Sequence, residues 1–347
     1  MNIKLTWRAF LLSAGLGLAY YAAARLGLAL AFAHTNASPV WPPSGLALAA
    51  LLLLGPGRWP GVLAGALVAN LVEFTDNGAL SGVTAVTVSA VIAAGNTLEA
   101  LAGAWLLRRI AGPAPALDRP TTVYAFAAVA AGVALIGASI GVSSLWLAHV
   151  VPVAALRKVA LIWWLGDTAG MMVITPLCLA WLRPGTGWRW DGRTVLITVA
   201  GLGVLGLTLN LLFGRHYNVD LSYRALAFLL LPTLSWTSYR YGMRGITLLL
   251  LLVSGAAVVG TTKGLGPFSA GTLDDALFGL EIFIGLCSMV GMVLASDRHV
   301  HGRPAGHGEG GAGRGGLLYM LHWTVLLVCL ALTILVWQFV VASTEQR

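Results

Sequence analysis

Residues 120–148 read PTTVYAFAAVAAGVALIGASIGVSSLWLA, twenty-nine positions without a single Asp, Glu, Lys or Arg. A helix needs about 20 apolar residues to cross a hydrocarbon core roughly 30 Å thick. The stretch is long enough with residues to spare. Its apolar side chains do not alternate with polar ones, as the short strands of a membrane barrel would require. In lipid every backbone N–H and C=O must be satisfied internally, and a continuous apolar run of this length does so as a helix.

Outward from that stretch the same texture recurs. Apolar segments lie near 8–33, 43–56, 59–73, 81–107, 157–182, 194–213, 223–240, 244–262, 272–297 and 317–342. With 120–148 they make eleven. Over the whole chain 58% of residues are hydrophobic and 10% charged, against about 25% charged in ordinary soluble domains, and the mean hydropathy is +0.84. These values exclude a soluble enzyme, a disulfide scaffold and a disordered regulator. The expected fold class is an all-α polytopic membrane protein: a bundle of about ten transmembrane segments and one linked C-terminal transmembrane helix. Three regions follow: 1–300 as the main membrane domain, 301–316 as a Gly-rich cytoplasmic linker, and 317–347 as the C-terminal helix leading to the outer side.

The net charge of +8 does not mark a nucleic-acid surface, because Lys and Arg occur singly or in pairs between apolar stretches. With the N-terminus placed in the cytoplasm, the inner side holds Lys4, Arg8, Arg58, Arg108, Arg109, Arg119, Arg183, Arg189, Arg193, Arg240, Arg244, Arg298, Arg303 and Arg314. The outer side holds Arg157, Lys158, Arg215, Arg224, Lys263 and Arg347. That asymmetry satisfies the positive-inside rule and sets the C-terminus outside. Segments 43–56 and 59–73 are short, and two tilted spans are favoured over a re-entrant pair that would bury Arg58. Glycine pairs at one-turn spacing, Gly61/Gly65, Gly137/Gly141 and Gly166/Gly170, predict close helix packing.

Charged side chains inside spans are costly, about 2.5–3.5 kcal/mol each on insertion scales, so each needs a partner or a task. Glu99, Asp167, Glu281 and Arg25 are such residues. At 1.5 Å per residue, Arg25, Asp167 and Glu281 come out roughly 25 Å from the inner boundary, and Asn70, Asn96 and Glu99 roughly 15–18 Å from it. Arg25 with Asp167 or Glu281 is therefore expected to form an intramembrane ion pair. Asn96 and Glu99, at i and i+3, share one helix face. Asn96, Glu99, Asp167, Asn70, Trp41, Trp163 and Trp164 are the candidate ligand- or ion-binding residues. A structural reading stands beside this one, with buried polar pairs fixing helix register and tryptophans anchoring the interface. No G-x-S-x-G elbow, H-E-x-x-H or Walker loop occurs in the sequence, so no catalytic residue, metal site or cofactor is expected. Cys178, Cys287 and Cys329 each lie in an apolar segment with no C-x-x-C spacing.

Three stretches carry a family resemblance. Val40-Trp41-Pro42-Pro43-Ser44-Gly45-Leu46-Ala47 resembles the W-P-P-x-G opening of the type-one MASE domain, a bacterial membrane-associated sensor family. Gly95-Asn96-Thr97-Leu98-Glu99-Ala100, followed by Gly103-Ala104, is similar to its G-N-x-x-E-A-x-x-G-A signature. Trp163-Trp164-Leu165-Gly166-Asp167 through Gly170 resembles its W-W-x-G-D-x-x-G block. The resemblance covers roughly residues 10–300. The helix from Thr324 to Val341 resembles the one that leads into an extracellular CHASE domain.

The resemblance implies a multi-pass sensory input domain of the bacterial inner membrane, not itself an enzyme. Its expected partners are the lipid bilayer, a small ligand, ion or proton, and a linked output module; a homodimer is a compatible assembly. Outputs in that family include GGDEF cyclases, EAL phosphodiesterases and histidine kinases, and none lies within this chain. A secondary transporter or channel is the alternative reading, since intramembrane acids and a short pair of segments also fit that class.

Overall fold

A computed structural model describes residues 3–31, 38–113, 115–183, 192–214, 230–269 and 272–301. The described residues form nine α-helices and two short 3-10 turns: α1 (Ile3–Ala29), α2 (Pro42–Leu54), α3 (Trp59–Asp76), α4 (Gly82–Ala111), α5 (Pro120–Leu147), α6 (Leu156–Trp181), α7 (Gly192–Phe213), α8 (Leu230–Thr262) and α9 (Leu273–His301). Seven of them are long and apolar enough to cross a membrane. The fold is an all-α polytopic membrane bundle, with a span count lower than the expected ten. Residues 302–347, with most of the expected linker and the whole C-terminal helix 317–347, lie outside the described residues, so the CHASE-like lead-in is not among them.

Local sequence sets the helix ends. Prolines stand in the first turns of α2, α3 and α5, where a missing N–H costs nothing and φ is already helical. α2 and α4 stop at Gly55 and Gly112, whose φ values of 96° and 87° belong to a region that side chains disfavour. Segments 223–240 and 244–262 fall largely into the single element α8. They remain distinct, because Gly242 inside it has φ 61° and ψ −151°. A Cβ on Gly245 would sit 3.3 Å from Thr237 Cγ2. Eight residues of straight helix rise about 12 Å, so the chain doubles back at Gly242.

Small residues set the packing. α1 crosses α3 where Gly17 meets Gly61 and Gly65: a Cβ on Gly17 would lie 3.1 Å from the Gly61 carbonyl oxygen. α2 lies against α1, α4 and α6, and α6 in turn touches α5, α8 and α9, so α2 and α6 form the centre. Around them Leu48, Leu51, Phe126 and Met171 are fully buried. α7 packs on α8 and leaves most of its apolar surface outward, with Leu196, Val199 and Leu207 exposed. In a bilayer that surface meets lipid.

Two of the arginines assigned to the inner side, Arg108 and Arg244, also cap helices. The last carbonyls of a helix lack intrahelical donors. Arg108 Nη2 donates to the carbonyls of Leu51 at 2.6 Å and Leu52 at 3.2 Å. Arg244 Nε donates to Ala180 O near the end of α6 at 2.9 Å. Arg58 Nη1 reaches Ala9 O at 2.9 Å and Arg183 Nη2 reaches Pro115 O at 2.5 Å. At the other end of the bundle Lys158 pairs with Asp274 at 2.7 Å.

Candidate functional site: a buried carboxyl pair at the head of a short central helix

α2 has thirteen residues, about 20 Å of helix, so it cannot span the hydrocarbon core alone. Its N-terminus ends inside the bundle against α6. The backbone N–H of Trp41 donates to Gly166 O at 2.9 Å, and Thr175 Oγ1 donates to Gly45 O at 2.9 Å. Beside that hydroxyl the two backbones meet directly: a Cβ on Gly170 would overlap the Trp41 carbonyl oxygen, and one on Gly45 would overlap the Gly170 carbonyl oxygen. The glycines of the W-P-P-x-G and G-D-x-x-G stretches therefore bring the two backbones together. The positive end of the α2 dipole is thereby aimed at the acid that follows Gly166.

That acid is Asp167, fully buried. Ser44, in the first turn of α2, donates its hydroxyl proton to Asp167 Oδ1 at 2.5 Å. Glu99 enters from α4 with 1% of its surface exposed, and its electrostatic neighbours are Asp167, Ser44 and the Gly137 backbone. Gly137 shows how near the two acids are. The place where its Cβ would sit is overlapped by Glu99 Oε2 and is 3.4 Å from Asp167 Oδ2. The absence of a side chain on α5 is what lets two carboxyl groups stand together.

Asn96, one turn from Glu99 on the same helix, is buried, and its Nδ2 donates to the Tyr20 hydroxyl at 3.1 Å. Tyr20 is 1% exposed and has Trp41, Asn96, Asp167 and Glu99 as electrostatic neighbours. Trp163 stands beside Asp167, its ring filling the space that Gly141 leaves open on α5. Tyr20, Trp41, Ser44, Asn96, Glu99, Trp163 and Asp167, from α1, α2, α4 and α6, thus surround one point, with α5 contributing only bare backbone.

Other candidates lie elsewhere. Asn70 turns its Nδ2 back to Ala66 O on its own helix at 2.8 Å, and Trp164 donates Nε1 to Ala131 O on α5 at 2.7 Å. The expected ion pair of Arg25 with Asp167 or Glu281 is not formed. Arg25 sits near the C-terminal end of α1, and its Nη1 lies 3.8 Å from Glu73 and 3.6 Å from Asp76 of α3. Its side chain is 45% exposed, and α1 packs beside α3, so those nearer and wetter acids take it. Glu281 is buried on α9, with one oxygen 4.0 Å from the place of a Gly166 Cβ. Tyr20 and Ser44 were absent from the expected set. Ser44 was readable, since it lies within the W-P-P-x-G stretch, whereas Tyr20 is one aromatic among the apolar residues of α1 and carries no such mark.

The chemistry of the cluster is one-sided. Glu99 Oε2, Asp167 Oδ2 and Asn96 Oδ1 are buried and have no hydrogen-bond partner among the described residues. The ion pairs of the described residues include none of Glu99, Asp167 and Glu281. Two bare carboxylates in a region that water does not screen repel strongly, so positive charge must enter the cluster as a proton or as a cation. No curated protein and no solved structure is matched by the chain. A family model, MASE1, matches residues 12–300, which takes in all three glycine-bearing stretches and every residue of the cluster. This all-α, multi-pass membrane chain belongs to the MASE1 family of membrane-associated sensor domains.

Proposed function

We propose that the domain is the sensory input part of a bacterial inner-membrane receptor, and that the buried Glu99–Asp167 cluster is where the stimulus acts. The observation that carries this reading is the pair of carboxyl oxygens with no donor or counter-charge at the head of α2. A small ligand, ion or proton entering there changes the charge between α2, α4, α5 and α6. Because α2 and α6 touch backbone to backbone, a shift at Ser44 or Asp167 moves a helix as a unit. Only differential affinity for two packings transmits a signal, and this cluster sits on the contact that distinguishes them. The signal passes to an output module outside these 347 residues, a cyclic-di-GMP enzyme or a histidine kinase.

The proposed orientation has the N-terminus in the cytoplasm and the C-terminus outside. Its support is the separation of the arginine-capped end from the end with the Arg25–Glu73/Asp76 and Lys158–Asp274 contacts. The test is Glu99→Gln and Asp167→Asn in the receptor with its output module, measuring output alongside the amount of protein in the membrane. Altered output at normal membrane level is expected. Unchanged output overturns the reading, and solute flux through proteoliposomes that depends on Asp167 would replace it with the transporter alternative.

A further inference from the structure

We infer that the Glu99–Asp167 pair holds a bare, hard inorganic cation, with Asn96 Oδ1 and Ser44 Oγ as neutral ligands. The inference rests on reading this cluster as the place where the stimulus acts, and it adds the chemical class of what binds there. Three observations lead to it.

The first is the ligand set. Glu99 Oε2, Asp167 Oδ2 and Asn96 Oδ1 are acceptor oxygens, all buried, and no donor reaches them among the described residues. Asn96 is independent of the acids in kind, being a neutral amide whose Nδ2 is already used on Tyr20. Its Oδ1 is left without a partner among the described residues, and at i and i+3 Asn96 shares a helix face with Glu99. Among the described residues no group of three or more His, Cys, Asp and Glu side chains is placed to hold a metal ion, so the two acids need neutral oxygens to complete a ligand set. Two carboxyls, an amide and a hydroxyl make an all-oxygen set, the kind that hard cations prefer over softer transition metals.

The second is charge. Arg25 and Lys158 are paired with Glu73, Asp76 and Asp274, so neither neutralises Glu99 or Asp167. Arg108 and Arg58 are spent on backbone carbonyls of α2 and α1.

The third is size. Backbone meets backbone between Trp41 and Gly170 and between Gly45 and Gly170, and Glu99 already fills the space beside Gly137. Backbone and side chains packed this closely favour an ion stripped of its water over an organic ligand. Asn96, Glu99 and Asp167 are themselves buried from solvent.

The test uses the 347-residue chain in lipid nanodiscs. Thermal unfolding is followed by tryptophan fluorescence while NaCl, KCl, CaCl2 or MgCl2 replaces choline chloride at fixed ionic strength and pH. A saturable rise in Tm with at least one of the four salts is expected. Asn96→Ala, which leaves both acids in place, should weaken that cation's apparent affinity about tenfold, the equivalent of one lost hydrogen-bond-strength ligand. Glu99→Gln or Asp167→Asn should abolish the effect. If all four salts match choline chloride in the unmodified chain, or if the rise survives in Asp167→Asn, the cation is overturned, whether or not every variant folds. The two readings fail separately. A null salt result with altered receptor output in Glu99→Gln removes the cation and leaves the sensor, whereas saturable binding without any effect of that salt on receptor output removes the sensor and leaves the cation.

Discussion

Gly137→Ala and Gly170→Ala differ only in where a single methyl group lands, and the structure assigns them opposite consequences. In a helix interior Ala is favoured over Gly by about 1 kcal/mol, and overpacking a buried contact costs about 1–3 kcal/mol. At Gly137 the methyl group overlaps Glu99 Oε2, the far end of a flexible side chain. The carboxyl group rotates away, the propensity gain offsets the remaining strain, and stability changes by less than about 1 kcal/mol. The carboxyl pair is nevertheless pushed apart, so the response of the domain changes. At Gly170 the methyl group overlaps the carbonyl of Trp41, which is backbone and cannot rotate aside. α2 would have to retreat on the order of 1 Å to regain ordinary contact distance. That retreat loosens Trp41 N–H from Gly166 O and Thr175 from Gly45 O, each worth about 1 kcal/mol. Gly170→Ala is expected to lose about 2–3 kcal/mol in all. Thermal unfolding in nanodiscs reads the stability, and receptor output at matched membrane levels reads the response. A Gly170→Ala protein that unfolds like the unmodified one would refute the backbone contact. A Gly137→Ala protein with an unchanged response would refute the role given to the carboxyl pair.

Arg108→Ala leaves the Leu51 and Leu52 carbonyls of α2 without their donor and should cost about 1.5–3 kcal/mol, the usual range for a hydrogen bond to a charged group; unfolding of Arg108→Ala beside Arg108→Lys measures it. Arg25→Ala should cost about 1 kcal/mol or less, because its pairs with Glu73 and Asp76 are exposed. A loss of about 3–5 kcal/mol in the same unfolding assay would instead indicate a buried pair. For topology, Asn77→Cys after α3 should react with a membrane-impermeant maleimide applied from outside, and Gly57→Cys between α2 and α3 should not. The reverse labelling would invert the proposed orientation.

The helices were legible because apolar length and proline and glycine punctuation are local properties. Segments 120–148 and 194–213 match α5 and α7 to within a residue or two. Segments 223–240 and 244–262 are kept apart in the structure by one glycine, Gly242. Part of the cluster was legible too. Glu99 and Asp167 are acids inside apolar runs, which mark themselves by cost, and Asn96 shares the helix face of Glu99. Arg25 shows what such reasoning misses. Counting 1.5 Å per residue gives depth but not azimuth, and two residues at equal depth can face opposite sides of a bundle. Which side Arg25 faces was settled by the Gly17–Gly61 contact that seats α1 on α3, beside Glu73 and Asp76. Tyr20 was hidden for a related reason, since its importance comes from the α4 and α6 residues around it and not from its neighbours in sequence.

The central claim is that Glu99 and Asp167 act as one charged unit in sensing. A double-mutant cycle of Glu99→Gln, Asp167→Asn and both together, read as the change in receptor output at equal membrane abundance, addresses it most directly. Residues in one cluster are expected to be non-additive, so the double variant should respond much like either single one. Additive effects, or full response in the double variant, would contradict the account.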